Sequence, residues 1–115
     1  MIAIISRSSY LASSLSCMLG TDAAVCPASS DNSRHHQWLS SVLVEKRVSV
    51  VFYEPGFFID PAPFRKLSPA TRFVVMASPG EEEAGINVLS HGAAAMLGKP
   101  IDNNAVNGVF QLVSS

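Results

Sequence analysis

Charged residues are scarce. Asp, Glu, Lys and Arg make up 15% of the 115 residues, against about 25% in an average soluble protein. Eight basic residues stand against nine acidic ones, a formal net charge of −1. A stand-alone nucleic-acid binder normally carries a basic face, so direct nucleic-acid binding is not expected. So small a net charge does little to keep copies apart, which leaves self-association open. Cysteine is limited to Cys17 and Cys26, too few for a disulfide framework or a metal cluster. Cys17 falls in a predicted helix and Cys26 in a predicted strand, and both are expected as small core hydrophobes with free thiols. Histidine is limited to His35, His36 and His91. The adjacent pair diverges by about 100° on a helix, so no metal site is expected. No apolar run reaches the ~18–20 residues of a membrane helix. Met1–Ile5 is too short for a signal-peptide core and has no basic flank, so the expected location is cytoplasmic. Ser6–Tyr10 contains no glycine, which argues against a phosphate or dinucleotide loop. No Gly-x-Ser-x-Gly elbow supports a serine nucleophile. Neither an enzymatic activity nor a cofactor is expected.

Apolar residues, by contrast, make up 48%, which supplies a core and excludes intrinsic disorder. The length fits one domain over 1–115. Met1–Ile5 is a short apolar run suited to a buried strand. Ser8–Leu19 places Leu11, Leu15, Met18 and Leu19 at helical spacing, and Gly20 stops it. Ala23–Cys26 is a weaker strand, and the polar Ser29–Arg34 reads as a loop. His35–Lys46 carries Trp38, Leu39, Val42 and Leu43 on one helical face. Val48–Tyr53 is the strongest strand signal, dense in β-branched and aromatic residues. Pro61, Pro63 and Pro69 restrict any helix between Phe57 and Ala70 to a short piece over Pro63–Leu67. Phe73–Ala77 is the fourth strand, Glu81–His91 a helix, Ala94–Leu97 the fifth strand and Asn103–Val113 a last helix. The triple Glu81-Glu82-Glu83 reads as a solvated first turn that suits the helix dipole.

Five β-α units in this order predict an α/β protein with a five-stranded, doubly wound parallel sheet. One of the two common strand orders for such a sheet is 2-1-3-4-5, and its ligand site lies at the carboxyl ends of the strands. Those ends carry Ser6 and Arg7 after the first strand and Glu54 after the third. Ala77 and Ser78 follow at the fourth, and Lys99-Pro100 after the fifth.

The segment Gly92-Ala93-Ala94-Ala95-Met96-Leu97-Gly98-Lys99-Pro100-Ile101-Asp102 resembles the fifth-strand signature of bacterial response-regulator receiver domains. Val48–Glu54 resembles the family's third strand leading into its phosphoacceptor. The resemblance spans essentially the whole chain and implies the flavodoxin-like receiver fold, with strand order 2-1-3-4-5. It also implies where the family's chemistry is missing. The acidic pair that holds Mg²⁺ corresponds to Ser6 and Arg7, and Mg²⁺ needs carboxylates that a hydroxyl and a guanidinium do not provide. The acceptor aspartate corresponds to Glu54, one methylene longer. The fourth-strand hydroxyl corresponds to Ala77, or with a shift of one residue to Ser78. The switch aromatic corresponds to Met96, and of the reactive set only Lys99 is kept. Glu54 is then either a fixed stand-in for the phosphorylated acceptor, paired with Lys99, or a polar loop residue. Arg7 either takes the metal position beside Glu54 or points into solvent. The Lys99–Pro100 bond is cis in the family, which proline permits.

The expectation is a phosphorylation-independent pseudo-receiver, a signalling and protein-interaction module at the N-terminus of a two-component transcription regulator. Its expected partners are an effector domain, a kinase or a second copy in a homodimer. By resemblance, its contact face draws on Asn87, Ser90, His91, Met96, Asn103, Asn107 and Gln111, a polar and nearly uncharged set. Two alternatives stand beside it. One is a phospho-receiver with altered chemistry, using Asp60 or another carboxylate. The other is a small-molecule sensor with a pocket near Ser6, Glu54 and Ser78.

Overall fold

Short runs rich in branched and aromatic residues form the middle of the sheet, because such side chains pack well on a pleated surface. In the computed structural model, residues 1–6, 9–20, 22–26, 32–54, 64, 66–90, 92–98 and 102–114 are described. The elements run β1 (Ile2–Ile5), α1 (Ser9–Leu19), β2 (Ala23–Val25), α2 (Asn32–Glu45), β3 (Val50–Tyr53), β4 (Arg72–Ala77), α3 (Glu82–Ser90), β5 (Ala95–Gly98) and α4 (Asn103–Ser114). All strand pairs are parallel and the order is β2-β1-β3-β4-β5, as expected from the sequence.

Every residue of β1 and β3 is buried, and so is β4 beyond Arg72. These strands read as unbroken apolar runs because both of their faces are covered. Alternation along the strands divides the core into two layers. Ala3, Ile5, Val51, Tyr53, Phe73 and Val75 pack with Leu39, Val42 and Leu43 of α2. Ile2, Ile4, Val50, Phe52, Val74 and Met76 pack with Leu15 of α1 and with Val106 and Val113 of α4. The edge strand β2 leaves Val25 exposed.

Several expectations need adjustment. α2 begins at Asn32, inside the segment read as a loop. β3 begins at Val50 rather than Val48. Ahead of it, Ser49 donates to the Met1 carbonyl through both its amide (2.9 Å) and its hydroxyl (3.1 Å). Cys17 is exposed, not part of the core. It follows Leu15 by two positions, roughly 200° around the helix, and so turns away from the buried stripe. Cys26 is buried, and desolvation pushes its thiol pKa up. Phe64, Lys66 and Leu67 are helical, and the Ser68 amide bonds the Phe64 carbonyl at 3.0 Å. The remainder of the short helix expected over Pro63–Leu67 lies outside the described residues. Among these residues, no helix is long and apolar enough to cross a membrane.

Candidate functional site

The register of the central strands decides which residues meet at the carboxyl edge of the sheet. Ile5 of β1 pairs with Tyr53 of β3, so the residues that follow them, Ser6 and Glu54, emerge side by side. Both are half-buried. The Ser6 hydroxyl donates a hydrogen bond to Oε1 of Glu54. Two of the residues singled out in the sequence are thereby brought together, 48 positions apart in the chain.

Ala77 closes β4 as a buried side chain without a hydrogen-bonding group. Ser78 belongs to a tight turn. Its carbonyl accepts from the Glu81 amide at 2.8 Å, and Gly80 has φ of 94°. A Ser-Pro-Gly-Glu sequence with a positive φ at the third residue and an i to i+3 bond has the marks of a type II turn. The Glu81 carboxylate accepts from the Ser78 amide at 2.9 Å, and the Glu82 carboxylate from the Gly80 amide at 2.8 Å. The Gly85 amide then bonds the Glu81 carbonyl at 3.0 Å, so Glu81 caps α3. The triple glutamate is therefore not simply a solvated turn. Two of its carboxylates close the backbone that leads from β4 into α3.

Mg²⁺ demands octahedral oxygen ligands and is usually held through one or two carboxylates plus waters. Here the two described side chains at the carboxyl edge of β1 and β3 offer one carboxylate and one hydroxyl, and the hydroxyl is turned toward the carboxylate as a donor. Among the described residues, no group of three His, Cys, Asp or Glu is placed to hold a metal. By themselves these two described side chains supply a single carboxylate. Arg7, Lys99, Pro100, His91 and Asp60 lie outside the described residues.

Met96 lies half-buried on β5 and packs against the α2-side core. Its sulfur occupies the place where a Cβ on Gly85 would stand, and Ala77 would be 3.5 Å from that Cβ. Ala77, Gly85 and Met96 thus form a contact without side-chain hydrogen-bonding groups from the carboxyl end of β4 to the outer edge of the sheet.

The residues named for the expected contact face can be placed. Asn87, Ser90, Asn103 and Gln111 are exposed and Asn107 is half-buried. Several spend their polar groups locally. Ser90 Oγ donates to the Asn87 carbonyl at 2.6 Å. Asn107 Nδ2 donates to Oδ1 of Asn103 at 2.7 Å and to its carbonyl at 2.9 Å. Two apolar residues of the same helices that were not named are also exposed, Ile86 at 59% and Leu112 at 72%. Both sit off the buried stripe of their helices, and that position was the available signal. Along α3, Gly80, Glu83, Ala84, Ile86, Asn87 and Ser90 line a shallow hollow of about 710 Å³.

No family model matches the chain, and no curated protein sequence matches it. Solved structures do. The N-terminal signal receiver domain of a two-component response regulator from Bacteroides fragilis aligns with a TM-score of 0.76 at 19% identity, covering 99% of this chain and 95% of that one. The receiver domain of NtrX from Brucella abortus aligns with a TM-score of 0.75 at 13% identity, covering 99% and 98%. NtrX from Brucella abortus in complex with ADP aligns at 0.73 and 14%, where 98% of this chain covers only 25% of that one. At these identities the likeness is one of fold, and the fold is that of receiver domains.

Proposed function

We propose that this chain is a receiver-like signalling module whose output does not depend on phosphorylation. The Ser6–Glu54 hydrogen bond carries the reading. It ties the residue in the acceptor position to the residue in a metal-ligand position, using a donor where the chemistry calls for an anionic ligand. Phosphoryl transfer is catalysed almost wholly by positioning and by charge neutralisation, much of it from the metal. A site that presents one carboxylate and a hydroxyl supplies little of either. Ala77 adds to this, since it offers no hydroxyl at the end of β4. The module is then non-catalytic and works through protein contacts. Its partners would be an effector domain in a two-component transcription regulator, a kinase or a second copy, met on the face of α3, β5 and α4.

The test is an NMR titration with Mg²⁺ followed by beryllofluoride, a mimic of the phosphoryl group. The amides of Ser6, Tyr53, Glu54 and Ser78 are expected to stay in place. Saturable, Mg²⁺-dependent shifts at those amides would overturn the reading and restore a phospho-receiver with altered acceptor chemistry.

A further inference from the structure

Among the described residues, most of the charge is sorted by end, while Arg7 and Lys99, which follow β1 and β5 in sequence, lie outside them. At the amino edge of the sheet, Lys46 and Arg47 follow α2, Lys66 precedes β4 and Arg72 opens it. All four are exposed. The two basic segments are fastened side by side. Thr71 Oγ1 donates to the Val48 carbonyl at 2.7 Å and lies 2.6 Å from Ser68 Oγ. The Arg72 amide bonds the Ser49 carbonyl at 3.0 Å. At the opposite, carboxyl edge stand Glu54, Glu81, Glu82, Glu83 and Asp102. Among the described charged residues, Arg34, Asp22 and Glu45 depart from this sorting.

Helix dipoles account for part of the pattern, favouring acids at the start of α3 and bases after α2. They do not account for Arg72, a strand residue. Nor do they account for the large apolar side chains exposed beside the charges, Val44 at 70% and Leu67 at 49% next to the bases, and Ile86 at 59% near Glu83. The hollow along α3 has Ala84 and Ile86 on its lining together with the Glu83 carboxylate. That combination suits a long basic side chain, whose stem lies on apolar surface while its head meets a carboxylate. The amino edge presents side chains of this kind, with an apolar neighbour.

We propose that copies of this chain associate head to tail, the basic amino edge of one copy (Val44, Lys46, Arg47) seated in the α3 hollow (Glu83, Ala84, Ile86) of the next. The inference rests on the reading of the α3 face as a contact surface and names what fills it. Such a contact joins two different surfaces, so it generates a ring or an open chain of copies rather than a two-fold dimer. Being charge-led, it weakens with salt, as the screening length falls from ~30 Å at 0.01 M to ~3 Å at 1 M.

Sedimentation velocity over a concentration series, at low and at high salt, tests it. The chain should associate at low salt and fall apart at high salt. Lys46→Glu with Arg47→Glu, and separately Glu83→Lys, should each weaken association by about tenfold or more. An equimolar mixture of the two variants should recover it, because each then offers the surface the other needs. These are surface changes, and far-UV ellipticity confirms that each variant is folded. A chain that stays monomeric at low salt, or a mixture that does not recover, overturns the inference. If Glu83→Lys abolishes association and the basic-edge variant does not, the α3 face stands as a contact surface and the head-to-tail pairing falls. If neither variant alters an association that occurs, both fall.

Discussion

Thr71 is 2% exposed, and its single hydroxyl proton goes to the Val48 carbonyl. The neighbouring Ser68 hydroxyl, 2.6 Å away, must therefore be the donor in the bond between them. One buried side chain thus fastens the segment before β3 to the segment before β4. Thr71→Val keeps the shape and removes the proton, leaving a buried carbonyl short of a partner, a loss of about 1–3 kcal/mol. Urea unfolding should show that loss, whereas Ser49→Ala, at a half-buried site, should cost less. Equal effects would mean that the Thr71 bond is not the fastening described. At this scale the sequence was legible wherever topology alone chose the residue. Ser6 and Glu54 follow directly from strand ends, and the structure joins them. Thr71 was invisible because the value of a hydroxyl depends on which carbonyl the neighbouring chain presents. Cys17 was misread because membership of a helix was taken for membership of its buried side.

At the scale of the element, α3 is the informative case. Gly85 lies in its interior, where a glycine weakens a helix by about 1 kcal/mol relative to alanine. Its φ is not positive, so backbone freedom does not explain it. The explanation lies across the contact, because the space a Cβ would take holds the Met96 sulfur. Methionine is flexible and on its own specifies position poorly, and a notch in the facing helix gives it one place to sit. Gly85→Ala must push that sulfur aside, and because it belongs to a flexible, half-buried side chain the displacement is cheap, so the cost should about offset the ~1 kcal/mol gained in helix propensity. In a Met96→Ala background the same substitution should show the full gain of ~1 kcal/mol. Thermal unfolding of the four proteins measures the difference, and an additive pair of effects would show that the notch does not hold the thioether. The helix itself was legible from its spacing. Its boundary was less so, since a Pro-Gly turn and two carboxylates folded back on the backbone delay the first helical residue to Glu82. The notch could not be read at all, because it requires the register of β5 against β4.

The whole molecule was the most legible level, and the reason is physical. A sheet covered on both faces forces its central strands to be short, unbroken apolar runs, and helices must lie between them. That alternation survives in any sequence able to fold this way. The same double cover makes a claim about cooperativity. Ile2 and Ile4 serve one layer while Ala3 and Ile5, from the same four-residue strand, serve the other. Neither layer can melt without stripping one face from β1, β3 and β4, and strands so short do not persist half-covered. Unfolding should therefore be two-state. Trp38, the single tryptophan, packs against the α2-side layer and reports on it alone. Ile4 belongs to the opposite layer, beneath α1 and α4. Ile4→Val should cost about 0.5–1.5 kcal/mol, a loss the fold can bear. In urea, the midpoint seen by Trp38 fluorescence should move as far as the midpoint seen by far-UV ellipticity, although the deleted methyl lies across the sheet from the tryptophan. A Trp38 transition that stays in place while the ellipticity midpoint falls would mean that the layers unfold separately and that the shared strands do not couple them.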